Sequence, residues 1–185
     1  MKDFRYRIPG SGKTGPKKAT RHYTFEAASS REHKKAFGQF SSAVTQRSES
    51  LKPVKIDLDT QEEIESRTHS IDFDGCDIKI RQSGMYMIIA APQAGRISGS
   101  ASRWINFWVR INNVDLTNSN IQRILIDCNQ KDVIPLNVVM PLNTGDVLNM
   151  IMAAETTNEG LGIEKIEPDG EPMIPSIIVT MVQLD

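Results

Sequence analysis

Asn106-Phe107-Trp108-Val109-Arg110-Ile111-Asn112-Asn113-Val114-Asp115-Leu116-Thr117-Asn118-Ser119-Asn120 decides how this chain is read. Phe107, Val109 and Ile111 fall on one side of an extended segment, and Trp108 and Arg110 on the other. That alternation is the period-2 pattern of a half-buried β-strand. Asn112-Asn113 follows, and asparagine tolerates the positive φ angles that a tight turn demands. A strand, a turn and a polar edge are therefore predicted here, and no catalytic motif competes with them.

Working outward, the same texture recurs. Val54, Ile56 and Leu58 alternate with polar residues, as do Ile71 with Phe73 and Ile78 with Ile80. Met85 to Ala91 is a more continuous apolar run, as expected of a strand buried on both faces. Ile124–Ile126 and the alternating Leu136, Val138, Met140 and Leu142 follow. Asn143-Thr144-Gly145-Asp146 makes a turn into Val147–Met152, and Pro175-Ser176 opens the last run, Ile177 to Leu184. Short strands separated by Gly, Pro, Asn and Asp, with no intervening helices, predict an all-β antiparallel sandwich. Val147–Met152 and the last strand are apolar at both odd and even positions. One sandwich face accounts for half of those residues, so the other half implies a further covering layer or a symmetry mate. Leu148, Met150, Met152, Ile177, Val179 and Met181 are the candidates for such an interface.

The N-terminal part reads differently. Pro9, Gly10, Gly12, Gly15 and Pro16 break any helix within residues 1–28. Ser29 and Glu32 have capping-box spacing, and Phe37, Phe40 and Val44 recur at helical spacing, so a short helix is expected at about 30–46. Gly38 argues against it. The expected division is a basic arm over residues 1–50 and a β domain over 51–185.

Charge follows that division. Residues 1–55 hold 13 of the 22 Lys/Arg but only 4 of the 23 Asp/Glu, a balance of +9, and the remainder carries −10. The near-zero net charge hides a basic arm on an acidic body. Arg5, Arg7, Lys13, Lys17, Lys18, Arg21, Arg31, Lys34 and Lys35 are interleaved with Phe4, Tyr6, Tyr23 and Phe25, with Phe37 and Phe40 beyond them. Three readings stand for this arm. It could neutralise nucleic-acid phosphates without sequence preference, lie along an acidic groove of a capsid shell or neighbouring subunit with the aromatics as anchors, or serve as a disordered solubilising tail.

Other chemistry is thin. Pro9-Gly10-Ser11-Gly12-Lys13-Thr14 invites a phosphate-loop reading, but the glycine required at position 7 is Arg7, and neither a preceding strand nor a following helix fits. His22, His33 and His69 have no ligand spacing to one another or to cysteine, and no metal or cofactor is expected. Asp72, Asp74 and Asp77 could surround calcium, though Asp72 and Asp74 flank Phe73 and read more simply as an outward strand face. No Gly-x-Ser-x-Gly elbow exists, and no histidine lies in the last 116 residues to activate a serine. An enzyme is not expected. Trp104 and Trp108 lie four apart on one strand face and could stack a sugar or a base, or simply pack. Cys76 and Cys128 are too few for a disulfide framework. No apolar run approaches the roughly 18 residues of a membrane helix, no secretory h-region is evident, and no membrane partner is expected.

These residues also carry a resemblance. Gly84-Met85-Tyr86 resembles the Gly-x-Tyr strand opening of the jelly rolls of the tumour-necrosis-factor and complement globular-head type. Phe107–Asn113 resembles their strand ending in an Asn-Gly turn, and Leu142 to Val147 their Leu-x-x-Gly-Asp turn. Trp108, Asn112–Asp115, Asn118-Ser119 and Pro175-Ser176 to Leu184 are similar to the version of this fold found in bacteriophage structural proteins, with Asn113 where glycine is usual. The resemblance spans roughly residues 70–184. It implies a homotrimer used for binding or assembly: a virion protein that decorates or cements a capsid, made in host cytoplasm and held to the major capsid protein by its arm. A shell-forming capsid protein with a genome-contacting arm and a glycan- or receptor-binding fibre tip are the alternatives.

Overall fold

A computed structural model describes residues 35–61 and 71–185, and in that part the chain forms two antiparallel sheets packed face to face. β1 (Phe37–Ser42) is followed by three two-residue strands, β2 (Gln46–Arg47), β3 (Val54–Lys55) and β4 (Thr60–Gln61). A hairpin of β5 (Ile71–Asp74) and β6 (Asp77–Ile80) precedes the long β7 (Gly84–Gly95) and β8 (Arg103–Ile111). Then come β9 (Val114–Asp115), β10 (Ile121–Leu125), β11 (Asp132–Val133), β12 (Leu136–Leu142), β13 (Val147–Ala154), β14 (Gly162–Ile163) and β15 (Ile177–Gln183).

The first sheet runs β2-β14-β7-β15-β1-β4, with β11 and β12 also paired to β7; the second runs β10-β8-β13-β6-β5, with β3 on β13 and β9 on β8. The last strand thus sits between the first and the seventh, and the chain crosses between layers from β7 to β8 and from β12 to β13. This is the antiparallel sandwich that the alternation predicts, in the jelly-roll arrangement that the resemblance implies.

Cross-strand register explains the core. On the inner side of the first sheet, Leu136, Ala90, Val179 and Phe40 form one row across four strands, and Val138, Ile88, Met181 and Gly38 form the next. Gly38 has a packing reason: a Cβ there would lie 2.8 Å from the Phe40 ring. On the second sheet Ile121, Phe107, Met152 and Val54 share a row, as do Ile111, Leu148, Ile78 and Phe73. Phe40 and Phe73 meet across the layers with ring centroids 5.2 Å apart. Asn112 and Asn113, at φ 50° and 65°, make the two-residue turn between β8 and β9. Positive φ at both central positions is the type I′ geometry that matches strand twist.

The expected helix over 30–46 is corrected: Phe37–Ser42 is a strand. Its residues pair with β15 from Phe37↔Val182 to Ser42↔Ile177, and those long-range ladder bonds override a weak helical stripe. The three apolar positions separate accordingly. Phe40 is fully buried, Phe37 is half-buried, and Val44 is 55% exposed. Residues 30–34 lie outside the described part. A division at residue 50 would cut β1 and β2 from their sheet, and the compact unit instead runs Lys34–Asp185.

A strand and a helix differ here in a measurable way. Phe40→Ala should lower unfolding free energy by about 3–5 kcal/mol, whereas Val44→Ala should stay within about 0.5 kcal/mol. Urea denaturation checks both, and similar losses at the two positions would contradict the strand.

Candidate assembly face and polar end

Across β12, β7, β15 and β1 the outer side of the first sheet carries no charge and mixes aliphatic with uncharged polar side chains. Val139, Met87, Val182 and Phe37 stand in one row across β12, β7, β15 and β1. Asn137, Ile89, Thr180 and Gln39 form the next row, and Ala91, Ile178 and Ser41 the one after. Val139 is 60% exposed and Ile178 is 36% exposed, and Met85, Met87, Ile89 and Val182 are each partly exposed. No charged residue occurs in these rows, and depletion of charge marks the centre of protein–protein interfaces. Elsewhere, Ile124 of β10 at the edge of the second sheet, Ile126 after it and Val133 of β11 are exposed.

The interface residues expected from sequence are not on that face. Leu148, Met150 and Met152 of β13, and Ile177, Val179 and Met181 of β15, are all buried in the core between the sheets. Both strands are apolar at both parities, and alternation alone does not say which set turns inward. Gln183 settles β15: its Oε1 accepts from Ala36 N at 2.9 Å and its Nε2 donates to Ser83 O at 3.2 Å. On β13 the outward residue Ile151 is covered within the chain. It is fully buried in a second cluster with Trp108 and Ala153, against which Trp104 packs. The positions that sequence reasoning missed are Met87, Ile89 and Val139. For Met87 and Ile89 the signal was the two-sided apolar run Met85–Ala91, and for Val139 it was the adjacent Val138-Val139-Met140 run, apolar at both parities.

Arg5, Arg7, Lys13, Lys17, Lys18, Arg21, Arg31 and Lys34, and the aromatics Phe4, Tyr6, Tyr23 and Phe25, lie outside the described residues, as do His22, His33, His69 and the 9–14 glycine-rich segment. Lys35 is exposed and its Nζ donates to Leu184 O at 2.5 Å. Phe40 belongs to the core, so of the expected anchors only Phe37 reaches the outer face among the described residues. Trp104 and Trp108 share a face as expected, but Trp108 is nearly buried and its Nε1–H donates to Asp115 Oδ1 at 2.7 Å, so the two rings do not form an open stacking platform. Cys76 and Cys128 are unpaired.

Two carboxylates hold the end of the sandwich together. Glu159 accepts from Arg96 Nη1 at 2.7 Å and Arg103 Nη2 at 2.9 Å, and the Arg96 side chain is fully buried. Glu164 pairs with Arg47 at 2.7 Å and with Lys131. Burying such charges is tolerable because each is paired. The calcium reading of Asp72, Asp74 and Asp77 is not met. Asp72 pairs with Arg81 at 2.5 Å and Asp77 with Lys55 at 2.8 Å, and no metal-holding group of His, Cys, Asp and Glu occurs among the described residues.

Three surface aspartates are held below the usual carboxylate range. For Asp77 the causes are the hydrogen bond from Lys55 and then that from Asn149; for Asp115, Arg110 and then Trp108; for Asp132, chiefly Arg123. A carboxyl lowered in the folded state stabilises above its unfolded value, and that contribution is lost as pH falls through the lowered value. Thermal stability should therefore decline as pH drops below about 3.9, the ordinary aspartate value. A combined Asp77→Asn, Asp115→Asn and Asp132→Asn variant should show a shallower decline in melts taken across that range, and an equally steep one would contradict these pairings.

Comparison with known proteins places the fold. No family model matches this sequence, and no curated protein does. Solved structures are similar: murine APRIL at pH 8.0 has a TM-score of 0.51, and murine APRIL at pH 5.0 and at pH 8.5 a TM-score of 0.50 each. In all three the identity is 11%, and the match covers 82% of this chain and 100% of the other. The architecture is thus a tumour-necrosis-factor-like jelly roll.

Proposed function

We propose that this protein is a non-enzymatic structural protein of a virion: a homotrimeric jelly roll that decorates or cements a phage-type capsid. One observation carries the self-association half of this reading, the uncharged outer rows led by Val139, Met87, Val182 and Phe37. An apolar face of this extent on one sheet asks for a partner surface. Ile124 of β10 on the second sheet's edge, exposed with Ile126 after it, supplies a second, different apolar site. A face that packs on the neighbour's edge makes a heterologous contact, and such contacts close into rings when the rotation allows. Three copies is the number that the resemblance to tumour-necrosis-factor and complement-head jelly rolls implies.

The capsid half rests on charge and on the phage-like pattern Trp108, Asn112–Asp115, Asn118-Ser119 and Pro175-Ser176. A basic N-terminal segment on an acidic body suits attachment to an acidic shell surface. Three segments engaged at once add avidity, because the second and third attachments are intramolecular. The protein would act in the virion, assembled in host cytoplasm, with neither cofactor nor membrane.

Because β1 belongs to the sheet, the informative truncation removes residues 1–33 and leaves 34–185. The truncated chain should keep its fold and lose co-sedimentation with capsids of its own virus, and undiminished binding would contradict the reading. Particles in the megadalton range with high absorbance at 260 nm, formed by the full chain alone, would instead identify a shell protein whose basic segment contacts the genome.

A further inference from the structure

The second sheet carries a cleft that neither the core nor the assembly face uses. Its volume is about 250 Å³, and it is lined by Lys55, Asp77, Asn112, Asn113, Val147 and Asn149. These residues come from β3, the start of β6, the β8–β9 turn and β13. We propose that this cleft binds a neutral saccharide unit through its hydroxyl groups.

The walls are built and held. Asn149 is almost fully buried, and its Nδ2 donates to Cys76 O and to Asp77 Oδ1, each at 2.7 Å. Lys55 Nζ donates to the same Asp77 oxygen at 2.8 Å. Asn112 is locked on both sides: its Nδ2 donates to Asp146 Oδ1 at 2.8 Å and its Oδ1 accepts from Val147 N at 2.9 Å. Asn113 is exposed, and its carboxamide takes no part in the hydrogen bonds of the described residues. The groups left for a ligand are therefore Asp77 Oδ2 as an acceptor, the Asn113 amide as donor and acceptor, and the remaining ammonium hydrogens of Lys55.

This set selects its ligand class. Lys55 and Asp77 cancel in charge, so an anion meets Asp77 and a cation meets Lys55, and either must break their pair. A hydroxyl both donates and accepts, and adjacent hydroxyls on one ring can answer the carboxylate oxygen and the amide together. Pockets of this kind use a few convergent polar groups to fix orientation. The lining holds no aromatic ring, so a single site should be weak, with Kd on the order of 1 mM. The cleft lies on the sheet opposite the proposed assembly face, and copies brought together through that face would add avidity to several weak sites. The inference stands apart from the capsid reading and fails or succeeds independently of it.

The test is amide-resolved NMR titration of the full chain with glucose, galactose, mannose and N-acetylglucosamine in turn. At least one sugar should give saturable shifts centred on Asp77, Asn113 and Asn149. Asn113→Gly keeps the positive φ of 65° that the turn needs while deleting the carboxamide, so it should retain the wild-type urea midpoint and bind at least tenfold more weakly. Lys55→Met should also weaken binding. Absence of saturable shifts with all four sugars, shifts centred on Trp104 instead, or unchanged affinity in Asn113→Gly would each overturn the assignment.

Discussion

The seating of β15 between β1 and β7 is the constraint on which the rest depends. It ties the last strand to the first and to the seventh, from Phe37↔Val182 on one side to Ile177↔Pro92 on the other. A strand slipped by one residue reverses every side chain. Here that slip would expose Ile177, Val179 and Met181 and bury Ile178, Thr180 and Val182. It would also strip Gln183 of its bonds to Ala36 and Ser83. The parity of this one strand therefore decides both which residues make the core and which face is left for a partner.

The two sheets treat their outer sides differently. On the second sheet the outer Ile151 is covered, because Trp108 packs on it and is anchored through its indole N–H to Asp115, while Ile124 at the edge stays exposed. The first sheet has no equivalent bulky cover among its described outer residues, and its rows combine aliphatic and uncharged polar side chains. The proposed assembly through the first sheet uses this difference, since its uncharged rows have no cover of their own among the described residues. The polar turn at Asn112-Asn113 and the Lys55–Asp77 pair then occupy the sheet that faces away.

Most strands were legible in the sequence, because alternation and turn residues are local signals. Phe107–Ile111, Leu136–Leu142 and the alternating Ile71–Phe73 and Ile78–Ile80 segments read directly as strands, although their pairing as a hairpin did not. Three things were not legible. Phe37–Ser42 has helical spacing in isolation and becomes a strand only because β15 supplies its partners from more than a hundred residues away. Parity in β13 and β15 was hidden because both sides are apolar, so Leu148 and Val179 resembled interface residues when they are core. The cleft was hidden as well, since Lys55, Asp77, Asn113 and Asn149 are brought together only by pairing among β3, β6, β8 and β13.

The central claim is that the outer rows of the first sheet are an assembly interface, and light scattering on size-separated protein tests it most directly. The wild-type chain should have three times the mass of its 20.7 kDa subunit, and a double Met87→Glu, Val182→Glu variant should be a folded species of a single subunit mass. A wild-type protein that stays at one subunit mass, or a double variant that keeps the oligomer, would contradict the account.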